Sequence, residues 1–313
     1  MVIAKSTLIF PFKLAVSAAL LVLVVRGIDT HGAQTRIANV APFWLVAALM
    51  CEVLQVLLAA RRWIAVTEIL SGVRMSMVRA TGIAAIGALA GQVLPSTVGG
   101  DVVRVGFVSN FVGIGLGTRS VIADRILGLL ALSLVAFFSI GILAWSGLRH
   151  LALLIPAGLA IASLGAAAVL VAIAPWGKRL PRILAVFAVP ASDLRFLFCD
   201  PRGLGAVGMS IGGHLLSVGS FAALAMAISF DEVLLSTLSL FVAPTLLLSA
   251  IPMSIGGWGI REGALSVGLG FIGVGGDGPV ILSVLYGVTA IASSILACIF
   301  CLLPLERSSK MRV

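Results

Sequence analysis

Long apolar runs dominate the chain, and short polar or basic segments separate them. A helix that crosses a bilayer needs about 20 apolar residues, because each residue advances it by about 1.5 Å across about 30 Å of hydrocarbon. The runs that meet or approach this length lie at about 12–28, 40–60, 124–145, 151–174, 203–228 and 279–303. The pattern therefore predicts six transmembrane helices.

Two further apolar regions are each interrupted near their middle. The first has arms at about 80–94 and 104–118, and the second has arms at about 234–251 and 260–275. Each interruption carries a proline and two adjacent glycines, which break a helix. Irregular backbone at membrane depth is stable only where protein or a watery cavity satisfies its polar groups. We therefore expect two re-entrant helix hairpins, each entering and leaving on one side.

The two interruptions are copies of one motif. The copies begin at Leu94 and at Ile251, and both read [Leu/Ile]-Pro-x-[Ser/Thr]-[Val/Ile]-Gly-Gly-x-x-[Val/Ile]-Arg-x-Gly. Their starting points are separated by about half of the 313-residue chain, which predicts an internal repeat. The residues assigned to the backbone turns are Pro95, Gly99, Gly100, Pro252, Gly256 and Gly257.

Composition places this repeat in lipid. Hydrophobic residues make up 60% of the chain, charged residues make up 11%, and the mean hydropathy is +1.20. Water cannot solvate such a surface, so the composition excludes an ordinary soluble domain. We expect one all-α polytopic membrane domain over residues 1–313, with repeat 1 at about 1–147 and repeat 2 at about 148–313.

The charge distribution gives the expected orientation. The net charge is +9, and the lysines and arginines cluster between the apolar runs, which is typical of cytoplasmic loops and argues against nucleic-acid binding. Six crossings with both termini in the cytoplasm place most of these cations inside. Each half then has three crossings, so the second repeat is inverted relative to the first. Inverted repeats with broken helices are typical of transporters with alternating access.

Two basic segments, at 61–79 and 176–202, mix cations with apolar residues. This mixture predicts amphipathic helices that lie on the anionic cytoplasmic leaflet.

The repeated motif supplies the main candidate chemistry. Asp101 is expected to cap the helix after the first break, with Arg104 one turn further on, and Arg261 and Glu262 follow the second break. A helix N-terminus together with an arginine can bind phosphate or another anion. This favours a pair of anion sites, one for each leaflet. The alternative is structural: Arg104 pairs with Asp101, and Arg261 pairs with Glu262 or Asp101, only to neutralise charge.

Other polar residues fall in or beside the predicted spans. Asp124 and Arg125, expected at the cytoplasmic end of the third span, either extend a cationic entrance or form an interfacial ion pair. Glu52, inside the second span, is either a proton carrier or the partner of an arginine, because intramembrane charges are costly.

A serine-hydrolase pattern occurs at 208–212, where Ser210 precedes His214 by one helical turn. A nucleophile elbow requires a strand-to-helix turn, whereas this run lies in an apolar helix, so small-residue packing explains it more simply. The sequence lacks the HExxH, P-loop and paired metal motifs. We expect no enzyme activity, no cofactor and no bound metal.

Three motifs together resemble the lysylphosphatidylglycerol synthase transmembrane-region family, which is also described as a flippase-like domain. They lie at 94–104, 123–128 and 251–263, although Gln92 stands where the family pattern has asparagine. The resemblance implies an integral protein of a bacterial or archaeal inner membrane, and a role in moving lipids between leaflets. The sequence ends at Val313, shortly after the last apolar run, so we do not expect lysyl transfer.

These observations favour a lipid flippase. The expected substrate is an anionic or phosphate-bearing glycolipid, isoprenoid lipid or phospholipid, whose head group passes between Arg104 and Arg261. The alternative is a non-transporting scaffold or accessory subunit for a lipid- or glycan-synthesising enzyme, docked through its basic loops. Membrane lipids are the expected partners in the first case, and such an enzyme in the second.

Overall fold

The computed structural model describes residues 36, 38–93, 99–148, 150–179, 185–251 and 253–309, and this part is helical without any strand. Its α-helices are α1 (Pro42–Ser71), α2 (Met77–Val93), α3 (Gly99–Val112), α4 (Ile114–Trp145), α5 (Leu154–Ile173), α6 (Ala188–Cys199), α7 (Pro201–Ala227), α8 (Leu235–Ser249), α9 (Ile260–Gly270) and α10 (Gly278–Ser309). The predicted all-α class is confirmed.

Among the described residues, five segments are long and apolar enough to cross a membrane. They are Pro42–Ser71, Ile114–Trp145, Leu151–Trp176, Pro201–Ala227 and Gly278–Cys301. They coincide with five of the six predicted runs, and the run at 12–28 lies outside the described residues. Large apolar side chains such as Phe43, Trp145 and Phe300 point outwards from these helices, which suits a surface in contact with lipid. The chain is a polytopic membrane protein.

Residue chemistry sets several helix ends. Pro42 occupies the first turn of α1, where a missing N–H costs nothing, and Gly72 ends this helix at φ +73°. Gly113, at φ +78°, separates α3 from α4. Asp200 caps α7 by accepting a hydrogen bond of 2.8 Å from the N–H of Arg202.

Two predicted boundaries were wrong. Residues 61–71 continue α1 instead of forming a surface helix, because Trp63 and Val66 are buried among neighbouring helices. The third span begins at Ile114 instead of near 124. Its added first turns tolerate Arg119 because Asp193 of α6 pairs with this arginine. Asp124 therefore lies well inside α4 and is 1% exposed. Its expected position at the cytoplasmic end of the span stays a prediction.

The segment at 176–202 contains α6, which packs on α4, α5 and α7. The face of α6 with Asp193, Leu194 and Leu197 is buried, and Phe196 on another face is exposed. Its placement on a cytoplasmic leaflet stays a prediction.

Helix packing follows a repeated scheme. The most extensive contact joins α1 to α7. Around this pair, α2 packs on α3 as α8 packs on α9, and α2 contacts α10 as α8 contacts α4. The contact between α1 and α10 likewise corresponds to the contact between α7 and α4. Each helix from α1 to α4 thus has a counterpart from α7 to α10. The two broken helix pairs are held against long helices of the opposite half.

Candidate functional site

The first copy of the motif brings α2 and α3 into backbone contact. A Cβ on Gly100 would lie 2.2 Å from the carbonyl oxygen of Gly87, and a Cβ on Gly87 would lie 2.6 Å from Cγ of Arg104. Gly99 and Gly100 are already in the first turn of α3, so the prediction that they form the chain reversal was wrong. Gly100 is needed because α2 and α3 approach too closely for a side chain at this position. Pro95 lies outside the described residues.

The second copy uses its glycines differently. Gly256 and Gly257 have φ values of +58° and +80°, in the left-handed region, and they form a turn between α8 and α9 as expected. Pro252 lies outside the described residues. A Cβ on Gly256 would lie 2.6 Å from Oε1 of Gln92, near the end of α2. The ends of the two helix pairs therefore touch.

A buried carboxylate organises the polar site next to the first copy. Asp124 of α4 accepts hydrogen bonds from Arg62 of α1, through Nε at 2.6 Å and Nη2 at 3.0 Å. Arg104 of α3 donates to the same carboxylate through Nη2 at 2.7 Å. The ring of Trp63 lies 4.2 Å from Cζ of Arg104 and contributes a cation–π contact. One carboxylate thus fixes arginines from two other helices.

A second ion pair extends this cluster. Arg125 donates a hydrogen bond to Asp101, and Asp101 lies 3.8 Å from Arg104. The whole cluster consists of three guanidinium groups and two carboxylates, and it therefore carries one net positive charge. Its members are Arg62, Arg104, Arg125, Asp101 and Asp124. Asp101 and Arg104 do interact, as the structural alternative expected, but the closer partner of Arg104 is Asp124.

The cluster lines a cavity of about 420 Å³ between α1, α2, α3, α4 and α7. Polar lining residues are Gln55, Arg62, Asp101, Arg104, Asp124, Arg125, Ser210 and His214. The remaining wall is largely apolar, and Ala250, from the turn between α8 and α9, also lines it. A polar cavity of this size among membrane helices can bind a small polar group that is transferred from water into the protein.

Sequence reasoning missed Arg62 as a member of the site. It was assigned to a basic cytoplasmic segment because it follows an apolar run. A helical-wheel argument identifies it, since Gln55 and Arg62 are seven residues apart and therefore share one face of α1. Both residues line the cavity.

Arg261, in the second copy, is enclosed and neutralised. Arg261 donates from Nε to Oγ of Ser283 at 3.0 Å and from Nη2 to Oε1 of Glu262 at 2.8 Å. Glu262 also accepts the Gly259 N–H at 2.6 Å, which completes a capping contact at the start of α9. Arg261 and Glu262 are 3% and 0% exposed. This geometry matches the structural alternative for the second copy, in which Arg261 pairs with Glu262.

Glu52 is buried and does not belong to the lining of the Arg104 cavity. It is 2% exposed on α1, at the contact with α7, and its Oε1 has no hydrogen-bond partner among the residues that the structure describes. The structure therefore places it in the protein interior and not on the wall of the Arg104 cavity.

Ser210 and His214 do not form the geometry of a hydrolase. The Ser210 hydroxyl donates to the carbonyl of Ala206 at 3.0 Å and accepts from Arg62. The His214 ring bonds instead to the carbonyl of Gly128 at 2.9 Å. A nucleophile needs its base within hydrogen-bonding reach, and here each side chain is engaged elsewhere. In the described parts of the chain, no group of three or more His, Cys, Asp or Glu residues is placed to hold a metal.

Fold and site define an all-α polytopic membrane protein with an arginine-lined cavity among its helices. The sequence model of a family described as "Lysylphosphatidylglycerol synthase TM region" matches residues 11–298, so the chain belongs to this family. Membership in this family indicates a membrane protein with a flippase-like role in lipid handling. Searches of curated proteins and of solved structures returned no match.

Proposed function

We propose that this protein moves an anionic or phosphate-bearing lipid between the two leaflets of a membrane. The observation that carries this proposal is the cavity around Arg62, Arg104 and Arg125, which has one net positive charge. Guanidinium groups bind phosphate through several N–H donors, and Arg104 Nε is buried without a partner among the described residues. Arg104 also lines the cavity, so its guanidinium group is placed to meet a lipid head group when the cluster rearranges.

Helix lengths support re-entrant hairpins. Helices α2, α3, α8 and α9 contain 17, 14, 15 and 11 residues. At 1.5 Å per residue they are about 26, 21, 23 and 17 Å long, each shorter than the hydrocarbon layer of about 30 Å. The repeated packing scheme supports two inverted repeats, which divide at about residues 147 and 148 in this proposal.

The unequal clusters support alternating access. The Arg104 cluster lines a cavity, whereas the Arg261 cluster is closed and neutral. In alternating access one repeat moves against the other, so the two sides of the protein are exposed in turn. In this proposal the structure corresponds to one such state, and Arg261 serves as the counterpart of Arg104 after the second hairpin rearranges.

The remaining parts of the proposal concern setting and chemistry. The protein resides in a bacterial inner membrane with cytoplasmic termini, its partners are membrane lipids, and it performs transport without covalent chemistry or a cofactor. The favourable contact at the cavity is electrostatic, and the lipid tails stay outside the helices, against exposed apolar side chains.

Transport by the purified protein alone tests this function. The protein is reconstituted in vesicles of phosphatidylcholine and phosphatidylglycerol with a trace of NBD-labelled phosphatidylglycerol, and a membrane-impermeant reductant bleaches the outer leaflet. We expect bleaching to proceed beyond the outer leaflet faster than in protein-free vesicles. Equal rates would contradict the proposal and favour the accessory-subunit alternative, which a co-purifying synthetic enzyme would support.

A further inference from the structure

A line of buried polar groups joins the two arginine clusters through the contact between α1 and α7. At one end, Gln55 lines the Arg104 cavity and donates a hydrogen bond of 2.6 Å to Oγ of Ser217. The Tyr286 hydroxyl of α10 lies within hydrogen-bonding reach of Ser217 and Gln55. At the other end, the Tyr286 ring lies 5.3 Å from Cζ of Arg261. The interior between the clusters is thus polar.

Glu52 is the ionisable group beside this line that lacks an ion pair. Its Oε1 is unpartnered among the described residues, and its side chain is 2% exposed. Arg261, the cation that interacts electrostatically with Glu52, is already bonded to Glu262. A buried carboxylate that lacks an ion pair and has one oxygen without a hydrogen bond is disfavoured relative to the protonated acid. Glu52 therefore carries a proton in this arrangement.

Each element around Glu52 contributes a defined group. Helix α7 contributes the Ser220 hydroxyl, α9 contributes the Arg261 guanidinium and α10 contributes the Tyr286 phenol, while Cys51 is the neighbour on α1 itself. Arg261 is the one cation in this described set. Loss of the proton from Glu52 would therefore place two carboxylates, Glu52 and Glu262, in competition for Arg261.

We propose that Glu52 is a proton-binding site that couples lipid movement to a transmembrane proton gradient. This inference rests on the proposed function. The Glu52 carboxylic acid releases its proton to water that enters from the Arg104 cavity, and becomes a carboxylate. The carboxylate attracts Arg261 away from Glu262, which loosens the start of α9 and opens the second site. A proton taken up from the other side restores the acid and the closed cluster.

Infrared difference spectroscopy of the purified protein tests the proton site without any lipid transport. The wild type should show the C=O stretch of a protonated carboxylic acid at neutral pH, and Glu52→Gln should lack that band. Glu68→Gln, at a half-buried position near the end of the same helix, should retain it. An unchanged spectrum in Glu52→Gln would overturn the proposal. Glu52→Asp keeps a carboxyl group and serves where the glutamine variant fails to fold.

Flipping of NBD-labelled phosphatidylglycerol under an imposed pH difference tests the coupling. We expect the wild-type and Glu68→Gln rates to change several-fold when the direction of the gradient is reversed, and the Glu52→Gln rate to be the same in both directions. A wild-type flipping rate that does not depend on the pH difference would overturn the proton coupling but leave the proposed transport function intact. Absence of flipping by the wild type would refute the proposed function instead, and the infrared band would still decide whether Glu52 binds a proton.

Discussion

Replacing Asp124 with asparagine tests whether the buried ion cluster holds the first hairpin to the rest of the protein. Asparagine keeps the size of the side chain but removes the charge that binds Arg62 at 2.6 Å and Arg104 at 2.7 Å. Both guanidinium groups are largely enclosed, at 13% side-chain exposure. They would remain in the interior with an uncompensated charge.

The expected loss of stability is large. Removal of one partner from a buried ion pair typically costs about 3–5 kcal/mol, because the remaining charge stays desolvated. Since every 1.4 kcal/mol is a factor of ten, the ratio of folded to unfolded protein should fall by at least roughly 100-fold. Ser210→Ala removes one hydrogen bond to Arg62, at 3.1 Å, and should cost only about 1 kcal/mol.

Reversible unfolding of the protein in mixed micelles, followed by tryptophan fluorescence, measures both variants. Trp63, one of five tryptophans, is buried against Arg104, so its share of the emission changes when this cluster opens. If Asp124→Asn unfolds at the same denaturant fraction as Ser210→Ala, the carboxylate is not the organising group of the site.

Two glycine substitutions test the close approaches, each with a matched control in the same or a neighbouring element. Gly100→Ala should destabilise the protein by about 1–3 kcal/mol, because the added Cβ clashes with α2. In the control Gly91→Ala the added Cβ meets nothing within 4 Å, so this variant should stabilise α2 slightly. Equal thermal unfolding temperatures for the two variants would contradict this helix packing. Gly287→Ala places a Cβ 2.5 Å from Nη2 of Arg261 and should lower the thermal stability of the protein. The control is Gly263→Ala, where the added Cβ meets nothing within 4 Å. A Gly287→Ala variant as stable as the wild type would show that Arg261 is not enclosed.

The broad architecture follows from the sequence because hydrophobic length is a local property. Runs of about 20 apolar residues define spanning helices whatever their neighbours are. The break in the second copy follows locally from Gly256 and Gly257, whereas Gly99 and Gly100 of the first copy lie inside α3. Helix ends at 71 and 114 were not predictable in this way. There, contacts between distant elements, such as Arg119 with Asp193, decide whether a polar turn stays helical.

The site was predictable only in part, because the two similar copies of the motif lie in different surroundings. Arg104 and Arg261 occupy the same position in the two copies, yet Arg104 lies in an open cavity while Arg261 is paired with Glu262. The difference depends on Asp124 and Arg62 in one case and on Ser283 in the other, and these residues lie far from the motif in sequence.

The central claim, that the Arg104 cavity handles the lipid head group, is tested most directly by the flipping rate of Arg104→Gln. Asp124 keeps its two bonds to Arg62 in this variant, so the fold should persist. The matched control is Arg202→Gln, at an exposed arginine on α7. We predict that NBD-labelled phosphatidylglycerol moves at the wild-type rate in the control and at least roughly tenfold slower in Arg104→Gln, the factor given by loss of one charge-assisted hydrogen bond. A folded Arg104→Gln protein that flips the probe at the wild-type rate would contradict the account.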